Sequence, residues 1–244
     1  MMRYERPPLV EVLCEFQFTP ESSWDRTVPD LIYDRVRDEF PVRKSVRALS
    51  ISIVTSIEGV QQHLEPSERA QFWRQDESAL VQVGPRLLAV NHLRPYDTWV
   101  TSARPLASKA LAAYLASAPG ESLSSARVRY INIVDIVAPV VLDEFFNYAP
   151  RTPPQWEALD GFLCVSEMAL EAGRDRLRVT TASRPMANPS RAGIVLDLDY
   201  WCTAPGVIAA RDAMDWADMA HQRLNAAFRD CITEKLEARF GMIP

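Results

Sequence analysis

Glycine is scarce in this chain. There are eight among 244 residues, scattered from Gly59 to Gly241, and no two fall within a phosphate-loop spacing. Such loops need glycine where backbone must approach a phosphate or take a positive φ. The chain therefore carries no Walker loop, no dinucleotide fingerprint and no GxSxG elbow. Histidine is scarcer still. His63, His92 and His221 form no HExxH, and with Cys14, Cys164, Cys202 and Cys231 they make neither a CxxC nor a zinc pattern.

Basic charge is not in excess. The formal net charge is −5, with arginines and acids interleaved along the chain, whereas a duplex-DNA binder shows a basic stripe. Duplex nucleic acid is thereby disfavoured as a partner. No apolar run approaches the ~18–20 residues of a membrane span. The opening "MMRYERPPLVE" has no apolar signal core. Each cysteine sits in or beside an apolar run, as a buried thiol in a reducing compartment does. These features predict a cytoplasmic protein with no membrane contact, no cofactor and no resident metal.

What is present is an ordinary globular balance, 48% hydrophobic and 24% charged. The segment "LVEVLCEFQF" alternates with period two. Val10, Val12, Cys14, Phe16 and Phe18 form an apolar face, and Glu11, Glu15 and Gln17 fall on the other. Trp24 to Phe40 reads as a helix stopped by Pro41. "VRALSISIVTSI", "AQFWRQ", "ALVQVG" and "RLLAVNHL" read as strands, and a second helix runs from Tyr96 to Ala118.

The order then restarts. "ARVRYINIVDIV" is a strand, "LDEFFNY" a short helix and "PRTPP" a loop. "GFLCVSEMALE", "DRLRVTTASR" and "AGIVLDLDYW" are strands, and Asp212 to Phe240 is one long helix ended by Gly241. The pattern predicts an α+β fold with a mostly antiparallel sheet in two similar β-α-β-β-β-α lobes related by a pseudo-two-fold, residues 1–120 and 121–244. The long helices pack on one face, and the lobes form one compact unit. TATA-binding-protein-like or helix-grip topologies have this order, an analogy that carries no function.

The charged strand faces read first as structure. Glu167, the arginines Arg176 and Arg178, then Asp197 and Asp199 alternate in sign over three successive strands, as a cross-strand ion-pair ladder would. This reading is preferred to a metal-holding DxD at Asp197 and Asp199. If the two opening strands pair, Glu11 and Glu15 meet Arg127 and Arg129. The functional alternative is a cleft between lobes lined by Glu11, Glu15 and Arg129, with shifted carboxylate pKa values.

On the last helix His221 lies on the apolar stripe, with Asp218 one turn before it and Asn225 one turn after. It reads as a satisfied interior histidine, or as a base oriented by Asp218 with Asn225 as donor. Asn91 and Asn132 interrupt apolar strands and read as buried hydrogen-bonding groups or ligand contacts.

Taken together, "PPLVEVLCEFQF", "LVQVGPRLLAVN" followed by "YDTW", "VRYIN" and "AHQRLNAAFRDCITEKL" resemble a family of uncharacterised, sporadically distributed bacterial proteins of about this size. The resemblance covers most of the chain. It implies a full-length single module with an accessory, defence-associated role, and it assigns no activity.

Two functions stay open. One is a module that binds an unidentified small ligand or a protein, with the exposed-face aromatics Trp73, Trp99, Tyr114 and Trp201 as anchors, or, for at least half of them, as core packing, and a homodimer permitted. The other is an enzyme with a non-motif acid–base site between the lobes, using Glu15 or His221 as base and Arg129 as anion anchor. No catalytic residue is assigned. The candidate ligand contacts are Glu11, Glu15, Arg129, Asn132, His221 and Asn225.

Overall fold

The structure, a computed structural model, describes residues 3–21, 23–56, 59–120, 122–151, 161–188 and 190–243, and of 3, 47–56 and 59–68 it describes the backbone alone. The first half contains β1 (Arg3–Tyr4), β2 (Leu9–Phe18), α1 (Val28–Val36), β3 (Val42–Ser56), β4 (Gly59–Trp73), β5 (Ala79–Gly84), β6 (Leu87–Leu93) and α2 (Arg104–Ser117). A π-helical turn, Trp99–Ala103, leads into α2. The second half contains β7 (Ser122–Val137), β8 (Leu163–Leu170), β9 (Asp175–Arg184), β10 (Arg191–Cys202), β11 (Ile208–Ala209), α3 (Ala213–Cys231), α4 (Glu234–Phe240) and β12 (Met242–Ile243).

The molecule is α+β, built on one large antiparallel sheet in the order β3-β4-β5-β6-β2-β7-β10-β9-β8, with β11 added on β7. The two opening strands meet at its centre, where Leu13 faces Arg129 and Glu15 faces Arg127. Outward from β2 the first half runs β6, β5, β4, β3, and outward from β7 the second runs β10, β9, β8. Each half thus puts its first strand innermost and its last long strand beside it.

Period-two alternation decides which side is covered. Cys14, Phe16, Val128, Leu196, Leu198 and Val179 are buried on one face. There α2 packs on β6, and α3 on β7 and β10, with α2 touching both α1 and α3. A single apolar cluster runs through both halves. The other face carries the charges.

Several local features depart from the sequence reading. The second helix begins at Arg104, after the π turn, rather than at Tyr96, and "LDEFFNY" holds only a 3-10 turn at Leu142–Glu144. A bulge at Val10 shifts the register so that Leu9 faces Asn132 and Glu11 faces Ile131, which buries Leu9 in place of Val10. The first helix is shorter than Trp24 to Phe40, beginning at Val28. Of "PRTPP", residues 152–154 lie outside the described residues.

The last helix is broken after Cys231. Ile232 is extended and bridges Phe146, and the Thr233 hydroxyl accepts from the Leu236 amide to start α4. Finally, β4 begins eleven residues before "AQFWRQ", at Gly59, and includes Pro66. Pro66 pairs with β3 alone, on the stretch of β4 that β5 does not reach, and proline is tolerated at such an edge.

Candidate functional site

On the covered side of the sheet, the start of α2 and the face of α3 leave a gap over β7. It is closed by the N-terminal segment, which β1 ties to β12 and in which Glu5 and Arg6 donate backbone hydrogen bonds to Gly241 and Phe240. The gap holds two adjoining cavities. The inner one is about 90 Å³, between Leu9, Tyr96, Tyr130, Asn132, His221 and Asn225. The outer one is about 660 Å³ and is flanked by Val100, Arg104, Asp218, Gln222 and Arg229. Tyr4, Trp99, His221, Asn225 and Phe228 border both.

A chain of polar contacts crosses the inner cavity. The Asn225 amide nitrogen lies 3.0 Å from His221 Nε2, and His221 Nδ1 is in short contact with the Tyr130 hydroxyl. Tyr96 borders the same cavity beside Tyr130. With the Asn225 nitrogen donating, Nε2 is the bare nitrogen and Nδ1 bears the proton, directed at Tyr130. Burial pushes the imidazole down to about 4, opposed by the charge of Asp218, so His221 is neutral at physiological pH. Burial likewise holds Tyr130 and Tyr96 well above the ordinary phenol range.

Asp218 does not orient His221, so the alternative of a base held by Asp218 is not met. It accepts from Trp99 Nε1 at 2.6 Å and from Arg104 Nε at 2.9 and 3.0 Å. The reason is the π turn, which brings the Trp99 indole over α3 so that its N–H, with Arg104, takes the carboxylate first.

Of the six candidate residues, Asn132, His221 and Asn225 line the cavity, while Glu11, Glu15 and Arg129 lie on the opposite face of the sheet. An inter-lobe site using Glu15, Arg129 and His221 together is therefore excluded: strand alternation separates β2 Glu15 and β7 Arg129 from His221 by the thickness of the sheet. On the charged face, Arg129 holds Asp197 through two bonds of 2.8 and 2.5 Å, and Arg127 pairs with Asp199 at 3.2 Å. Arg178 pairs with Glu167 at 2.9 Å and Arg69 with Glu15 at 4.0 Å. Glu11 accepts from Asn91 at 2.6 Å, and Gln82 donates to Asn91 at 2.8 Å. The expected ladder forms only in part: Arg178 meets Glu167, but Asp197 and Asp199 pair with the β7 arginines rather than with β9, and Glu11 and Glu15 meet Asn91 and Arg69 rather than Arg127 and Arg129.

The four aromatic anchors are not exposed. Tyr114 and Trp99 are buried, Trp73 is half-buried, and Trp201 is covered by the guanidinium groups of Arg127 and Arg178. Tyr4, Tyr96 and Tyr130 were missed as site residues. Tyr130 had the same signal as Asn132, a polar atom on an otherwise apolar strand face. Tyr4 sits in a segment without periodicity, and Tyr96 at the first residue of the expected second helix, where only the folded chain could place them. Comparison of the chain with protein-family models, with curated proteins and with solved structures finds no match.

Proposed function

We propose that this chain is a binding protein that takes a small molecule into the cavity between the sheet, α2, α3 and the N-terminal segment. One observation carries the reading. Hydrogen-bonding groups of the buried Asn132 and His221 and of the half-buried Asn225 border a preformed hollow with aromatic walls, the combination that small-molecule sites use. An interior built for stability alone fills such a gap with apolar side chains. The resemblance to an accessory bacterial family accords with a binding role. Four free thiols, three of them buried, support residence in the cytoplasm. No helix among the described residues is long and apolar enough to cross a membrane.

The alternative, an enzyme acting through His221, has the Tyr130–His221 contact in its favour. Against it, the imidazole is far below the pKa suited to a base at neutral pH, and no carboxylate orients it.

Native mass spectrometry of the protein after exposure to a cell extract tests the proposal. A discrete added mass of a small molecule is expected, lost in the cavity-filling variant Asn225→Trp and kept in Arg129→Ala. A mass retained in Asn225→Trp, or none at all, overturns it.

A further inference from the structure

The inner cavity constrains its occupant in size, charge and hydrogen bonding. Its volume of about 90 Å³ is below the ~150 Å³ that accommodates a benzene ring. It therefore admits a terminal group of a few heavy atoms, with the rest of the molecule in the outer cleft beside Trp99 and Phe228.

Charge is excluded next. Among the described lining residues of the inner cavity, Asp97 alone is charged, and it is exposed at the rim, where it accepts from Thr101 Oγ1 at 2.9 Å. An ionised end pushed past it loses water and gains no counter-charge.

A purely apolar end fails for the opposite reason. Asn132 is 3% exposed, and its Nδ2 donates to the Leu196 carbonyl at 3.1 Å, while no described group donates to its Oδ1. Asn225 gives its Nδ2 to His221, and again no described group donates to its Oδ1. Two carbonyl acceptors thus await donors, and each amide keeps a second N–H. Filling the site with hydrocarbon strands all of them.

We infer that the ligand ends in an uncharged amide edge, a carboxamide or lactam, whose N–H groups meet Asn132 and Asn225 while its body lies against Trp99 and Phe228. This rests on the binding role proposed above.

Benzamide, benzoate and benzamidine test it, since they share one shape and differ in charge. Binding is read from the His221 ring resonances and from tryptophan emission, with Trp99→Phe to assign the signal. Benzamide is expected to bind at least about tenfold tighter than either ion, a difference of ~1.4 kcal/mol. Asn225→Asp is expected to reverse the order between benzamide and benzamidine, and Asn132→Asp, if it folds, to do the same. Equal binding of the three, or tighter binding of an ion, sinks the amide assignment and leaves the cavity as a binding site. If none of the three disturbs His221, both readings fall together.

Discussion

The Trp99 indole lies parallel to the His221 imidazole, with ring centroids 5.0 Å apart and planes inclined by 10°. Trp99 comes from the turn before α2 and His221 from α3, so the stack joins the two halves of the chain. One turn before His221, Asp218 fixes the indole edge, and on the other side Tyr130 meets the imidazole from the sheet. The ring is largely buried, and that burial is why it stays neutral.

That neutrality has a pH signature. The folded pKa is about 4 against 6.5 unfolded, so the unfolded chain binds a proton first. Stability from this group is complete above pH 6.5 and is lost as pH falls towards 4. By linkage the loss at pH 5 is ~2 kcal/mol. Acids with depressed values, such as Asp175, lose stability in the same direction, so the contrast lies between proteins. Urea unfolding of the native chain and of His221→Gln at pH 7 and pH 5 should show their stability gap shrinking by about that amount. An unchanged gap means that the imidazole is charged or solvated in the fold.

The two sheet faces give a second test. Arg129 is on the charged face with Asp197, away from the cavity. Arg129→Ala should leave binding in the cavity unchanged, and it should cost ~1 kcal/mol of stability, a cost that shrinks in high salt because the pair is part exposed. Loss of binding in Arg129→Ala, with the fold intact, moves the site to the other side of the sheet.

How much of this was legible beforehand follows from periodicity. Strong alternation in β2, β7, β9 and β10 revealed strands, faces and the sign order of the ladder, because a strand has only two sides. The pairing of β2 with β7 was also foreseeable, and it does set Glu15 against Arg127. A period of two says nothing about which of two polar sets faces the helices' gap, however. Glu11, Glu15 and Arg129 looked as suitable as Asn132 until helix packing chose a face. Residue spacing misled at Asp218 for a related reason. Asp218 sits one turn before His221 on the helix, yet its partners, Trp99 and Arg104, come from a segment over a hundred residues away.

Asp197 and Asp199 look alike in "DLD" but should behave differently. Asp197 is held by two bonds from Arg129. Asp199 is 6% exposed, and its Oδ1 accepts no hydrogen bond from the described residues despite the nearby Arg127. Burial outweighs the surrounding arginines and raises its pKa above the usual carboxylate value. A raised value means that stability from this group is present in acid and lost as pH rises through the folded pKa, so the charge burdens the fold at pH 7. Asp199→Asn should therefore be neutral or stabilising at pH 7, because Arg127 is exposed enough to stay hydrated. Asp197→Asn should cost ~1 kcal/mol. Chemical denaturation of both decides it, and a larger loss in Asp199→Asn contradicts the argument.

Tyr114 shows the same conflict between burial and polarity in the core. Its ring is fully buried and stacked on Phe18, with centroids 4.2 Å apart and planes 4° apart, and Trp24 lies beyond at 6.5 Å. The ring holds α2 to the opening strand. Its hydroxyl is buried without a hydrogen-bond partner among the described residues. An unpaired buried hydroxyl costs ~1–3 kcal/mol of desolvation, whereas the ring contributes by filling volume. Removing only the oxygen should therefore help, and removing the ring should hurt. Tyr114→Phe is expected to raise the urea midpoint, by up to about 1 kcal/mol of stability, and Tyr114→Ala to lose ~3–5 kcal/mol through the cavity it leaves. If Tyr114→Phe instead lowers stability as a lost hydrogen bond would, the hydroxyl has a partner in solution, and the stack is not purely apolar packing.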